Sequence, residues 1–139
     1  MDFKSGAELL ALCGEYQCPI SEIMKRRECS LGETDQRTVT ARMRKAWEIM
    51  KESASSPITS PRKSIGGLIG GEARLLREHD AAGKSICGSV LSRAIAYACA
   101  VLEVNTSMGL IVAAPTAGSS GVVPGLLLAL KKEYHISED

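Results

Sequence analysis

The sequence predicts a mainly α-helical protein with glycine-rich loops at the starts of helices. Three observations lead there. Apolar residues recur at steps of three and four over long stretches. Turn-forming residues separate those stretches at helix-like intervals. Two glycine-containing runs, 66–71 and 116–121, each open directly into a helical pattern. One segment, 110–114, is short and β-branched at Ile111 and Val112, so a strand or an extended stretch is the alternative there.

The N-terminal part, 2–54, reads as helices. Leu9, Leu10, Leu12 and Cys13 give the first apolar stripe. Pro19 fits the first turn of a second helix carrying Ile20, Ile23 and Met24, and Gly32 fits its end. Thr34 is placed to cap a third helix. Its core face is Val39, Met43, Trp47, Met50 and Ala54, with Arg37, Arg44, Lys45 and Glu48 opposite. Segment 55–71, with two prolines and four glycines, reads as a loop. A helix follows over 72–79, with Gly83 as its C-terminal stop. In the core-like part, 72–139, a long apolar helix is expected over 89–103 and a last one over 122–134. Pro124 falls in the first turn of that last helix, where its missing N–H costs nothing. The 139 residues suit one domain, or a fragment of one.

Gly66, Gly67, Gly70 and Gly71 precede the 72–79 helix. Bare amides at a helix start suit a carboxylate or phosphate; a flexible turn with a cap is the plainer reading. The loop Thr116, Ala117, Gly118, Ser119, Ser120, Gly121 offers hydroxyls and open backbone before the last helix, an anion-binding nest or a tight packed turn. Asn105 either caps the helix before it or lines the same pocket. The run Ala81-Ala82-Gly83-Lys84-Ser85 resembles the end of a phosphate loop, but Glu78 stands where that motif needs glycine. Lys84 is the weak candidate for a catalytic group. His79 and His135 lack triad or metal spacing.

Composition excludes several classes. Net charge is +1 and aromatics are 4%, which argues against a nucleic-acid surface. Residues 104–130 carry no charge, but Asn105, Pro115, Pro124 and the hydroxyls argue against a membrane span. Met1-Asp2-Phe3-Lys4 does not read as a signal peptide. Cys13, Cys18, Cys29, Cys87 and Cys99 form no Cys-x-x-Cys pair; reduced, mostly buried thiols in a cytoplasmic protein are expected, with no metal site built from them alone.

The stretches VNTSMGLIVAAPTAGSSGVVPG and GGLIGGEARLLREHDAAGKSICG resemble the α chain of the iron–sulfur L-serine dehydratases, loosely up to residue 55 and closely from about residue 64. That resemblance implies conversion of L-serine to pyruvate and ammonia. It implies a [4Fe–4S] cluster whose open iron acts as Lewis acid on the substrate hydroxyl. It also implies a role in amino-acid degradation and gluconeogenesis. The two glycine turns would hold the serine carboxylate. The family's cluster cysteines follow the APTAG block, so no cluster is expected on this chain. The missing C-terminal half, a β chain and like copies are the implied partners, and the isolated chain is expected to be inactive. Ile69 and Glu72 depart from the family's Thr and Asp. The rival readings are a non-catalytic helical interaction module and a small-anion binding domain.

Overall fold

The computed structural model describes residues 2–116 and 118–138. Six helices account for the regular structure among them: α1 (Gly6–Glu15), α2 (Ile20–Leu31), α3 (Gln36–Thr59), α4 (Glu72–Ala81), α5 (Ser89–Thr106) and α6 (Ser119–Tyr134). The mainly α class read from the sequence is the observed one. Residues 109–113 have no regular structure, and the 110–114 segment ends in a single bridge between Ala114 and Thr116. Among the described residues no helix is long and apolar enough to cross a membrane.

The chain divides into two compact units, Met1–Lys45 and Ala46–Asp139. In the first, α1 packs on α2. Ser5 starts α1 by accepting the Glu8 N–H on its hydroxyl (3.2 Å), while the Glu8 carboxylate accepts the Lys4 N–H (2.7 Å). Pro19 sits just before α2 rather than inside its first turn, and Gly32 closes the helix as expected. The start of α3 differs. Asp35 caps it by accepting the Thr38 N–H at 2.7 Å, which leaves Thr34 outside. Two stripe positions split: Val39 is buried, but Met43 is 66% exposed.

The second unit holds the candidate site. Its central helix is α5, which packs against α4 and α6. Ala96, Ala100, Val101 and Val104 are buried on α5, together with Ala54, Ala73 and Ala129 from its surroundings. Helix α3 runs to Thr59, five residues past the predicted end, with buried Pro57 inside it. Serine and proline after residue 54 suggested a loop, but burial of Ala54 and Pro57 outweighs weak helix propensity. Helix α6 begins at Ser119, three residues early, so Pro124 lies in its second turn and one internal hydrogen bond is given up. The ends of the helices far from the site are tied by charge. Asp80 of α4 meets Arg93 of α5 at 4.0 Å, and Arg93 donates to Glu133 of α6 at 2.9 Å.

Candidate functional site

Thr116 explains the early start of α6. Its hydroxyl accepts the Ser119 N–H at 3.3 Å, and the Ser119 hydroxyl oxygen accepts the Thr116 N–H at 3.0 Å. The Ser120 N–H then reaches the Thr116 carbonyl at 3.1 Å, a helical bond. This is a reciprocal cap with serine in the place usually taken by Glu or Gln. The spacing Thr116-x-x-Ser119 carried that signal in the sequence.

Two glycines then bring α6 down onto α5. A Cβ at Gly121 would lie 2.9 Å from the Ala98 carbonyl oxygen, and one at Gly125 would lie 2.7 Å from that of Ala94. Gly121 and Gly125 are one turn apart, as are Ala94 and Ala98, so four small residues face each other and the backbones meet. Gly118 differs: a Cβ there has nothing within 4 Å.

Between the start of α6 and the C-terminal half of α5 lies a cleft of about 290 Å³. Asn105, Leu102 and Cys99 line it from α5; Gly118, Ser120 and Gly121 line it from the other side. Asn105 sits in the last turn of α5 and its side chain makes no hydrogen bond to the described residues, so its amide is available to the cleft. Cys99 is not a reactive thiolate. Burial pushes its thiol above the ordinary range, and the nearby charges of Glu103 and Glu72 push it further the same way. Among the predicted residues, the structure therefore brings together Asn105, Gly118, Ser120 and Gly121. Thr116 and Ser119 form the cap beside them, and Ala117 lies outside the described residues.

Gly66, Gly67, Gly70 and Gly71 are not among the residues lining that cleft. Their turn is knitted internally. The Gly67 N–H donates to the Ser64 carbonyl (2.9 Å) and the Ile69 N–H to the Ser64 hydroxyl (3.1 Å). The Gly70 N–H donates to the Glu72 carboxylate (2.7 Å), and the Ala73 N–H to that of Glu103 (2.9 Å). Gly70 and Gly71 adopt φ of +153° and +102°, a region that favours glycine. The entrance of α4 thus already faces two carboxylates from its own chain. Glu103 was missed in the sequence because it stood at the predicted end of a helix; a lone acid inside an otherwise apolar helix was the signal.

Lys84 is elsewhere. Its N–H closes the end of α4 on the His79 carbonyl (3.2 Å), and its side chain is exposed. The neighbouring Ser85 hydroxyl bonds that of Ser92 in the first turn of α5. Ser92 and Asn105 are 13 residues apart on one helix, about 20 Å along its axis.

The thiols do not fit an iron–sulfur cluster, which needs three or four thiolates at close quarters. Within the second unit only Cys87 and Cys99 are present. Cys87 precedes the first turn of α5, and Cys99 lies about three turns into it, roughly 15 Å along the axis from the helix start at 1.5 Å per residue. Among the described residues no three His, Cys, Asp or Glu side chains gather as a metal site. None of the five cysteines is fully buried, against the expectation; Cys87 is exposed and the other four are half-buried.

The second unit is thus a helical body with a small cleft at a helix entrance. Comparison with known proteins then gives its kinship. The serine dehydratase alpha chain family model matches residues 15–139. The chain is 34% identical over 128 residues to the L-serine dehydratase alpha chain of Peptoniphilus asaccharolyticus, covering 92% of this chain and 44% of that one. It is 35% identical over 133 residues to a probable L-serine dehydratase alpha chain of Bacillus subtilis, covering 96% and 44%. An L-serine dehydratase of Helicobacter pylori is 33% identical over 144 residues, covering 99% and 30%. No solved structure gives a significant match. The chain belongs to the serine dehydratase alpha chain family. It spans less than half the length of those relatives.

Proposed function

We propose that this chain supplies the substrate-carboxylate pocket of an L-serine ammonia-lyase, the reaction that turns L-serine into pyruvate and ammonia. One observation supports the reading above the others. Asn105, Gly118, Ser120 and Gly121 share one cleft at the start of α6. A helix start carries roughly half a positive charge, which favours a carboxylate there. Gly118 leaves the backbone open to an approaching anion. The Asn105 amide donates from the opposite wall, beside the side chains of Leu102 and Cys99. Fixing the carboxylate orients the α-carbon before reaction, which is the chain's share of catalysis.

Departure of the hydroxyl falls to groups outside this chain, and so does removal of the α-proton unless Lys84 takes it. The resemblance to iron–sulfur L-serine dehydratases puts the cluster of the parent enzyme there too. The Gly66–Gly71 turn is a neighbour of the pocket through Ile65, whose N–H donates to the Thr106 carbonyl at 3.3 Å. Lys84 remains a candidate base only if another part of the enzyme brings substrate to it. The remaining α-chain region, a β chain or like copies would cover the apolar side chains left at the surface. Cytoplasmic amino-acid degradation is the setting we assign.

Those same side chains carry the second reading, a non-catalytic interaction module. Ile86 is 99% and Leu68 91% exposed, more than an isolated module of this size should show water. Titration of the chain with L-serine, followed by amide chemical shifts, separates the readings. The pocket predicts shifts at Asn105 and 118–121 that are lost in Gly118→Val. Equal shifts with acetate would favour a small-anion domain, and no shifts with either would favour the interaction module.

A further inference from the structure

Glu103 is the most deeply buried charged side chain among the described residues, with no exposed surface. No ion pair compensates it among those residues. Instead its two oxygens accept two backbone amides that are distant in sequence. One takes the Ala73 N–H at 2.9 Å, the other the Arg62 N–H at 3.3 Å. Arg62 and Ala73 stand at the two ends of the segment that contains the Gly66–Gly71 turn.

We infer that Glu103 is a positioning residue that clamps both ends of the 62–73 loop and so sets the wall beside the α5–α6 cleft. Burying a carboxylate is costly unless strong donors replace water. A carboxylate has two acceptor oxygens and no donor, so one side chain can bridge two N–H groups. Glutamine cannot copy this, because its NH₂ would face an N–H. The clamp sits on the same stretch of helix as the cleft. Glu103 is one turn beyond Cys99 and two residues before Asn105, both of which line it. The loop's third tie, from the Ile65 N–H to the Thr106 carbonyl, lands next to Asn105. Gly70 belongs to the same device. A Cβ there would lie 2.5 Å from the Arg62 carbonyl oxygen, so only glycine lets the loop close this tightly. Glu103 and Glu72 thus both face amides at the α4 entrance. Only the effect on serine binding rests on the proposed pocket.

Hydrogen exchange of the intact chain tests the clamp without any ligand. Glu103→Gln should speed exchange at 62–73 by about ten- to a hundredfold, the factor that losing one charge-assisted hydrogen bond implies, with α6 unchanged. Glu103→Asp, which is smaller but keeps both acceptors, should recover part of that protection. Recovery by the smaller residue separates the clamp from simple filling of space. If Glu103→Gln does not fold, Arg62→Pro removes one donor and leaves the carboxylate in place; exchange over 63–71 should rise. Unchanged exchange in either folded variant overturns the clamp. L-serine titration then tests its role. Glu103→Gln should weaken serine binding about tenfold or more, and unchanged affinity in an opened loop overturns the positioning role. Failure of the native chain to bind serine would count against the pocket, while exchange still decides the clamp.

Discussion

At the scale of single residues, the chain separates two kinds of glycine that look alike in sequence. Gly121 lies against the Ala98 carbonyl, while Gly118 faces open space. A valine at 121 forces the helices apart and should cost about 1–3 kcal/mol, read as a lower denaturation midpoint. A valine at 118 has room, so stability should change by less than about 1 kcal/mol while serine binding is lost. The cysteines separate as well. Cys87 is exposed, whereas the Cys99 thiol is held above its ordinary range by burial first and then by the charges of Glu103 and Glu72. A raised folded-state value means the stability from the protonated thiol is complete below the unfolded thiol's pKa, about 8.5. It declines as pH rises through the folded value. Alkylation at pH 8 should label Cys87 quickly and Cys99 slowly, with Cys99 catching up only at alkaline pH or on unfolding.

At the scale of elements, caps decide where helices begin, and they explain what the sequence made legible. Gly32 after α2 and the small-residue run before α6 were visible because each is a local signal. The start of α3 was misassigned by one residue because Thr34 and Asp35 are both good caps, and only the fold shows Asp35 taking the Thr38 N–H. That bond holds the Asp35 carboxyl below its usual range. A lowered folded-state value means the contribution is present above the unfolded carboxyl's pKa, about 3.9, and is lost as pH falls through the folded value. The start of α3 should therefore lose helicity as pH falls, and Asp35→Ala should show lower helicity already at neutral pH, by circular dichroism. The Glu103 clamp was not legible, because it joins residues 62, 73 and 103 that no local pattern connects. The long α3 was not legible either; its last turn depends on burial of Pro57, which composition cannot report.

At the scale of the whole molecule, family and helical class were readable from two sequence blocks, while the division of labour between the glycine turns was not. Both turns present bare amides to a helix start. In the fold, one meets the carboxylates of Glu72 and Glu103 and the other borders a cleft. The same scale shows an apolar surface. Leu68, Ile86 and Met108 lie at the surface of a chain that spans less than half of its relatives. Dye binding to exposed apolar surface should be strong for this chain and should fall in Leu68→Ser and Ile86→Ser. Anaerobic treatment with iron and sulfide should leave this chain without a stoichiometric cluster, by visible absorbance, because no three metal-ligating side chains gather among the described residues.

The central claim is that the carboxylate of L-serine is received at the start of α6, between Gly118 and Asn105. The most direct measurement is the position of that carboxylate by amide chemical-shift mapping with isotope-labelled L-serine, on the native chain and on Gly118→Val. Shifts centred on 118–121 and Asn105, absent in the variant, are the predicted result. Shifts centred on 66–72, or binding that survives the valine unchanged, would contradict it.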